Sequence, residues 1–266
     1  PQLQSIQVMV SADHGAADSW AGPFTALPTD PGTFYLHGKP AALPGGGFAM
    51  AFGEVPNDYL YGPGRVGVAF SDDGRAWHVR YVADVPEGFE SVWPVQAAAD
   101  AAGALHVAWN ARTGDTMTVF HSATRDRGAS WSQPVAVRAN GTNALPWVAA
   151  RGDGEVAVGW YGGDATGDPS KADDNATWFA YLGESRDGGA TWSVGKVRDE
   201  PVKEGPFCPL GARCPADREL LDYVSLVHGP DGRVNYAFAH SEAEGQGATA
   251  RVLYAGTVPL DGATAS

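Results

Sequence analysis

The segment Arg213-Cys214-Pro215-Ala216-Asp217-Arg218-Glu219-Leu220-Leu221-Asp222-Tyr223 brings two guanidinium groups, three carboxylates and a phenol into eleven residues. Paired carboxylates can hydrolyse a glycosidic bond, one as acid and one as base or nucleophile, when their surroundings separate their pKa values. Glu219, Asp222 and Tyr223 are therefore the candidate catalytic residues. An arginine fork matches a substrate carboxylate bidentately, which makes Arg112, Arg213 and Arg218 candidates for substrate binding. Tyr61 and Tyr161, in or beside loops, offer ring faces on which a sugar can stack. Bland readings stand beside each of these. Asp222 also suits a structural acceptor, Tyr223 a core position, and the other loop acids, such as Glu54, Glu87 and Asp115, a solvated rim.

A second acidic group, Asp164, Asp168 and Asp173, has the oxygen-rich composition that suits Ca2+, without the spacing or terminal glutamate of an EF-hand loop. A plain solvated loop is its alternative reading, and no other cofactor is expected. The chain has two cysteines, Cys208 and Cys214, and no histidine beside them to complete a zinc site. The spacing and the Pro/Gly-rich context predict a disulfide, and hence an oxidising, extracellular or cell-surface location. No nucleophile elbow, phosphate-binding loop, dinucleotide fingerprint or paired-histidine metal motif is present.

The elements that must position these residues repeat. Thr124-Arg125-Asp126-Arg127-Gly128-Ala129-Ser130-Trp131 and Ser185-Arg186-Asp187-Gly188-Gly189-Ala190-Thr191-Trp192 share one pattern. Ser71 to Trp77, with Asp73, is one residue short of it, and Ser11 to Trp20, with Asp13, is longer. The four tryptophans step by 57, 54 and 61 residues. Upstream of the last three boxes lie alternating runs that follow a glycine-bearing turn: Gly47–Phe52, Ala104–Trp109 and Glu155–Trp160. Arg233–Phe238 is a fourth such run. The repeat therefore reads as four short antiparallel strands with the box as the last turn, the signature of a β-propeller. In each box the hydroxyl and carboxylate accept turn N–H groups, the glycine takes a positive φ, and the tryptophan fills the gap between sheets.

The box Ser/Thr-x-Asp-x-Gly-x-Ser/Thr-Trp resembles the Asp-box, or BNR, repeat of the sialidase superfamily, over most of the chain. The resemblance implies an all-β propeller of four-stranded blades, with Asp13, Asp73, Asp126, Trp131, Asp187 and Trp192 structural. It places the substrate face opposite the boxes, where the long loops lie. It also implies arginines that grip the substrate, a tyrosine nucleophile assisted by a glutamate, and an aspartate acid/base. The Arg-Ile-Pro motif that marks the first sialidase arginine is absent. The expected organisation is one domain over residues 1–266. Its blades run at about 39–82, 92–137, 146–197 and 222–258, after a partial blade at 1–20, as four to five blades of a six-bladed ring. The chain opens on Pro1 without an apolar leader, which reads as a removed leader or as a fragment lacking N-terminal blades.

Eighteen basic against 31 acidic residues give a net charge of −13, which excludes a nucleic-acid partner and disfavours an anionic membrane. No apolar run is long enough for a membrane span. Two function classes remain. One is a sialidase-like propeller that recognises glycans, as a glycoside hydrolase or without catalysis. The other is an extracellular binding or assembly propeller whose partner is a protein, a second copy, or a missing segment that completes the ring.

Overall fold

The computed structural model describes residues 5–56, 62–89, 95–210, 214, 220, 224–241 and 251–252. Among them the regular structure is β, apart from two 3-10 turns at Ala17–Ser19 and Pro169–Lys171. Strands β1 (Ile6–Ser11) and β2 (Trp20–Leu27) form an antiparallel pair. Next come β3 (Thr33–Ala42), β4 (Phe48–Pro56), β5 (Gly64–Ser71) and β6 (His78–Val85), a four-stranded antiparallel sheet in chain order. The third unit is β7 (Val95–Ala99), β8 (Leu105–Thr113), β9 (Thr116–Thr124) and β10 (Val135–Arg138). The fourth is β11 (Thr142–Arg151), β12 (Glu155–Gly163), β13 (Thr177–Ser185) and β14 (Ser193–Lys196). One parallel bridge, Thr142 to Met117, links the ladders of these two sheets. Short strand β15 (Lys203–Glu204) adds to the start of β13. Strands β16 (Ser225–His228) and β17 (Val234–Ala237) form the inner pair of a fifth unit, followed by β18 (Ala239–His240) with β19 (Arg251–Val252).

The first strands of successive units, β3, β7, β11 and β16, pack against one another in order, so they form the hub. The sheets stack face to face around it, and the second, third and fourth sheets bury apolar groups on both faces. In β4 the bulky Met50 and Phe52 face the β1–β2 pair, while the small Ala49 and Ala51 face the third unit. Four apolar layers follow in sequence, one per junction. Trp109, Trp160 and Trp178 are fully buried in them, each worth roughly 2–3 kcal/mol or more by area. This is the β-propeller expected from the repeat, although its first complete sheet starts at Thr33 rather than near residue 39.

The turns between first and second strands share one face with the boxes. Gly188 N–H donates to Gly154 O at 3.0 Å, and Arg127 of one box reaches both Asp72 of the preceding box and Gly46 O. Topology then puts the other, longer connections on the opposite face.

In the boxes of the third and fourth units the side chains close the turn as a unit. Thr124 Oγ1 accepts from Gly128 N–H (2.9 Å) and donates to Asp126 Oδ1 (2.7 Å), which also accepts from Ser130 N–H (2.9 Å). Ser185, Asp187, Gly189 and Thr191 repeat this arrangement. Donation from the Ser130 and Thr191 hydroxyls comes first among the causes that hold the Asp126 and Asp187 carboxyls down to about 2. Asp73 accepts from Arg75 and Ala76 N–H in the shorter box. Asp13 departs from the expectation. In its longer turn Ser11 Oγ takes the N–H groups of Asp13 and Gly15, and the Asp13 carboxylate accepts none of them.

Trp77, Trp131 and Trp192 are half-buried, each against the preceding unit, whereas Trp20 is 51 % exposed. The box glycines meet the same neighbour: a Cβ on Gly128 would crowd Phe70 and Arg80, and one on Gly189 would collide with the His121 ring.

Candidate functional site

On the long-loop face the second unit holds a cleft of about 480 Å3, lined by Thr33, Glu54, Pro56, Pro63, Arg65 and Asp84 among others. Register builds it. Tyr35 lies opposite Glu54, Glu54 opposite Arg65, and Arg65 opposite Asp84, so one row crosses all four strands. A bulge between Val66 and Gly67 shifts Tyr81 next to that row. Arg65 Nη2 donates to Glu54 Oε1 (2.5 Å) and to Tyr81 Oη (3.0 Å), and the Tyr81 hydroxyl donates to Glu54 Oε2 (2.8 Å). The guanidinium also lies 3.8 Å from the centre of the Tyr81 ring. Burial, then the bond to Glu54, pushes the Tyr81 phenol up to about 12, so it stays a donor at neutral pH and is a poor nucleophile. An ion pair and a second carboxylate lining one cleft, with a phenol bonded to that pair, suit the recognition of hydroxyl-rich or charged ligands better than proton transfer.

Around the third and fourth units the long connections are sewn down. Arg112, at the end of β8, donates from its backbone to Gly88 O (2.9 Å) and from Nε to Gly114 O (3.0 Å), while Gly114 N–H donates to Glu87 Oε2 (2.8 Å). This candidate thus sits on the expected face, tied to its own turn. Thr142 joins loop 164–168 by donating to Ala165 O and Gly167 O, and Gly167 N–H donates to Asp115 O. Asn143, fully buried, donates to Met117 O (2.7 Å) and accepts the Trp160 indole N–H (2.9 Å).

Several expectations are corrected here. Tyr161 does not face a sugar: it is fully buried, and its hydroxyl accepts Ala239 N–H at 2.7 Å. Strand β12 runs on to Gly163 and carries Tyr161 into the core opposite Ala144 and Ala180. The calcium reading of Asp164, Asp168 and Asp173 also fails, since no group of three potential ligands gathers among the described residues. Asp168 caps the 3-10 turn by accepting Ser170 N–H (2.9 Å), Asp164 pairs with Arg138 (3.3 Å), and Asp173 closes a turn through its backbone carbonyl. Glu219, Asp222, Tyr223, Arg213, Arg218 and Tyr61 lie outside the described residues.

Cys208 and Cys214 form a disulfide, with Cα atoms 5.7 Å apart. The chain leading to it is anchored at the long-loop end of the fourth unit. Trp178 Nε1 donates to Gly205 O (2.7 Å), and Phe207 meets the Trp178 ring edge to face at 4.7 Å.

Arg65 and Tyr81 escaped sequence reading, because they lie inside strands and become site residues only through pairing. The available signal was weak: Arg65 is a lone charge at the mouth of an otherwise apolar strand.

No protein-family model matches the chain, and no curated protein matches it. Solved structures do. The Hadza microbial sialidase Hz136 matches with a TM-score of 0.51 and 18% identity, over 89% of this chain and 41% of that one. An α-L-arabinofuranosidase, Arb93A from Fusarium graminearum, solved with an iminosugar inhibitor, matches with a TM-score of 0.51 and 14% identity, over 93% of this chain and 72% of that one. Both are β-propeller glycoside hydrolases. The likeness is one of fold, and the chain spans about two fifths of the sialidase's length.

Proposed function

We propose that this protein binds glycans on its long-loop face, outside the reducing cytoplasm. The observation that carries this reading is the Glu54–Arg65–Tyr81 cluster beside Asp84, which sets donors and acceptors at the mouth of a cleft on that face. Carboxylate and guanidinium groups together bind vicinal hydroxyls and acidic sugars well. The disulfide supports the extracellular setting. Calorimetry with sialyllactose and with arabinobiose tests the reading. Binding is expected, and Arg65→Ala should weaken it at least tenfold while leaving the melting temperature within a few degrees. Absence of binding to either sugar overturns the assignment.

A second reading, glycoside hydrolysis, has its own support. The disulfide and the Trp178–Phe207 contact anchor the start of the chain that runs to β16 at the hub. That stretch carries Glu219 and Asp222 as the carboxyl pair, Tyr223 as the phenol, and Arg213 and Arg218 as the grip, and Arg112 is the third arginine of this reading. Release of 4-methylumbelliferone from its sialoside and arabinofuranoside measures this activity, and Asp222→Ala should abolish it. Turnover unchanged in that variant, or absent from the parent protein, sinks the catalytic reading and leaves the binding one standing.

A further inference from the structure

The chain that leaves the fourth unit on the long-loop face changes its packing partner within a few residues. Phe207 is buried in the layer between the fourth and fifth units, against Trp178. Leu210, three residues on, packs against the layer between the second and third units. Cys214 packs against the fourth–fifth layer again, and its bond to Cys208 closes the excursion at its base.

Two sheets separate those layers, about 20 Å where sheets stack face to face. Three residues reach at most about 11 Å, so the loop meets both layers only near the hub, where the sheets converge. Deeper along the axis a second contact has the same reach. Lys39, on β3 of the second unit, holds its ammonium 4.5 Å from the ring centre of Trp147, on β11 of the fourth. Hub strands of two non-adjacent units thus meet across the axis, and the disulfide-closed loop lies over its mouth.

The root of the loop is bonded to the fourth unit. Gly205 N–H donates to Ala176 O (2.8 Å), Phe207 N–H to Pro169 O (3.1 Å), and Trp178 Nε1 to Gly205 O. The tip is held differently. Among the described residues Cys208, Pro209 and Leu210 make no backbone–backbone hydrogen bond, and Leu210 N–H donates to Cys214 Sγ at 3.2 Å. Leu210 itself is half-buried. One side-chain seat must therefore offset the ordering of the tip, and the disulfide lowers that cost by closing the loop.

We propose that this loop is a redox-sensitive cap on the axial mouth, shut while Cys208–Cys214 is intact and released when a dithiol reduces it. A thiolate of the dithiol attacks Sγ of Cys214, the half-buried partner, and Cys208, 4% exposed, leaves as the thiolate. The second thiol then displaces Cys214. The protein gains two electrons and two protons, and the dithiol becomes a disulfide. Cys208 and Cys214 are the two cysteines of the chain, so reduction acts on the cap alone. The proposal does not depend on the glycan reading.

Hydrogen exchange on the full chain, with and without dithiothreitol, tests it. The Leu210 amide should exchange at least tenfold faster after reduction, while β8 and β12 stay within twofold of the oxidised protein. In the Cys208→Ser/Cys214→Ser double variant the amide should exchange fast without reductant. Hydroxyl-radical footprinting should there oxidise the Leu210 side chain at least threefold faster than in the parent. Leu210→Asp keeps the disulfide and loses the apolar seat, and the amide of residue 210 should again exchange at least tenfold faster. Unchanged exchange on reduction overturns the proposal. So does a loss of protection that extends to β8 and β12, which would make the bond a staple for the whole fold. Parent-like exchange in Leu210→Asp, or unchanged footprinting in the double variant, removes the seat over the hub and the cap with it.

Discussion

The junction between the third and fourth units and the one between the fourth and fifth are built on the same plan and finished differently. In the first, the box of the fourth unit seats Gly189 on the His121 ring, and Trp192 meets that ring edge to face at 5.1 Å. Beneath it runs a buried polar chain. His121 Nε2 lies 3.1 Å from His106 Nδ1, and His106 Nε2 lies 3.3 Å from Asp100 Oδ2. Asp100 also accepts Ala104 N–H (2.8 Å) and Gly154 N–H (2.9 Å). Burial pushes the Asp100 carboxyl up, but those N–H groups and His106 more than offset it, and its pKa sits below the ordinary range. In the second junction the buried acid has no such chain of partners. There Glu184 Oε2, on the face of β13 turned to the fifth unit, is buried without a hydrogen bond among the described residues. The box thus acts as a plug. Under it the polar chain is satisfied, whereas Glu184, buried without a partner among the described residues, is raised to about 7.

The sharpest way to break this contrast is to spoil the plug. Gly189→Ala adds a Cβ that overlaps His121 at a residue with φ +90°. The expected loss is about 3–5 kcal/mol in urea unfolding, from overpacking plus left-handed strain. Gly195→Ala, where nothing lies within 4 Å of the new Cβ, should stay within about 0.5 kcal/mol. Equal effects would remove the box glycine from its place as a close-packed seat.

Asp100→Ala should cost about 3 kcal/mol, because two amide donors and an imidazole lose their acceptor in the core. The loss should be accompanied by faster hydrogen exchange at Ala104 and Gly154. Unchanged exchange there would mean that the carboxylate does not hold the two turns.

The two junctions should also respond oppositely to pH. Burial, then the neighbouring His106, depresses His121 to about 3, so the unfolded chain binds this proton first and stability falls as pH drops from about 6.5 towards 3. Glu184 is raised to about 7, so the folded chain binds the proton first and stability falls as pH rises from about 4.5 through 7. Urea midpoints from pH 4 to pH 8 should therefore flatten on the alkaline side in Glu184→Gln and keep their acid slope. An acid slope that vanishes with Glu184 would refute the assignment.

The smallest effect compares boxes. Asp187→Asn should lower the melting temperature measurably, since its carboxylate closes the turn. Asp13→Asn should stay within about 0.5 kcal/mol, since that carboxylate accepts no turn N–H. Equal losses would mean that the longer first turn is braced like the others.

How much of this was legible depended on range. The boxes could be read because every bond that closes them runs between residues two to four apart, as from Thr124 to Gly128. The direction in which the tryptophans fold follows from the same window, and the period of the repeats names the propeller. Tyr161 was misplaced because one further strand residue separates a loop edge from the core. The acids Asp164, Asp168 and Asp173 looked gathered in sequence, yet a cap, an ion pair and a turn disperse them.

By itself, then, the sequence determined the strands, their turns and the circular order of the sheets, all of which depend on contacts within one repeat. The tertiary structure alone decided which charges meet. Glu54 reaches Arg65 and Tyr81 only through strand register and one bulge. Glu184 becomes a buried acid without a partner among the described residues only because strand packing turns it towards the fifth unit. Register and packing act across tens of residues and fix the dielectric around each group, and neither is written in local spacing.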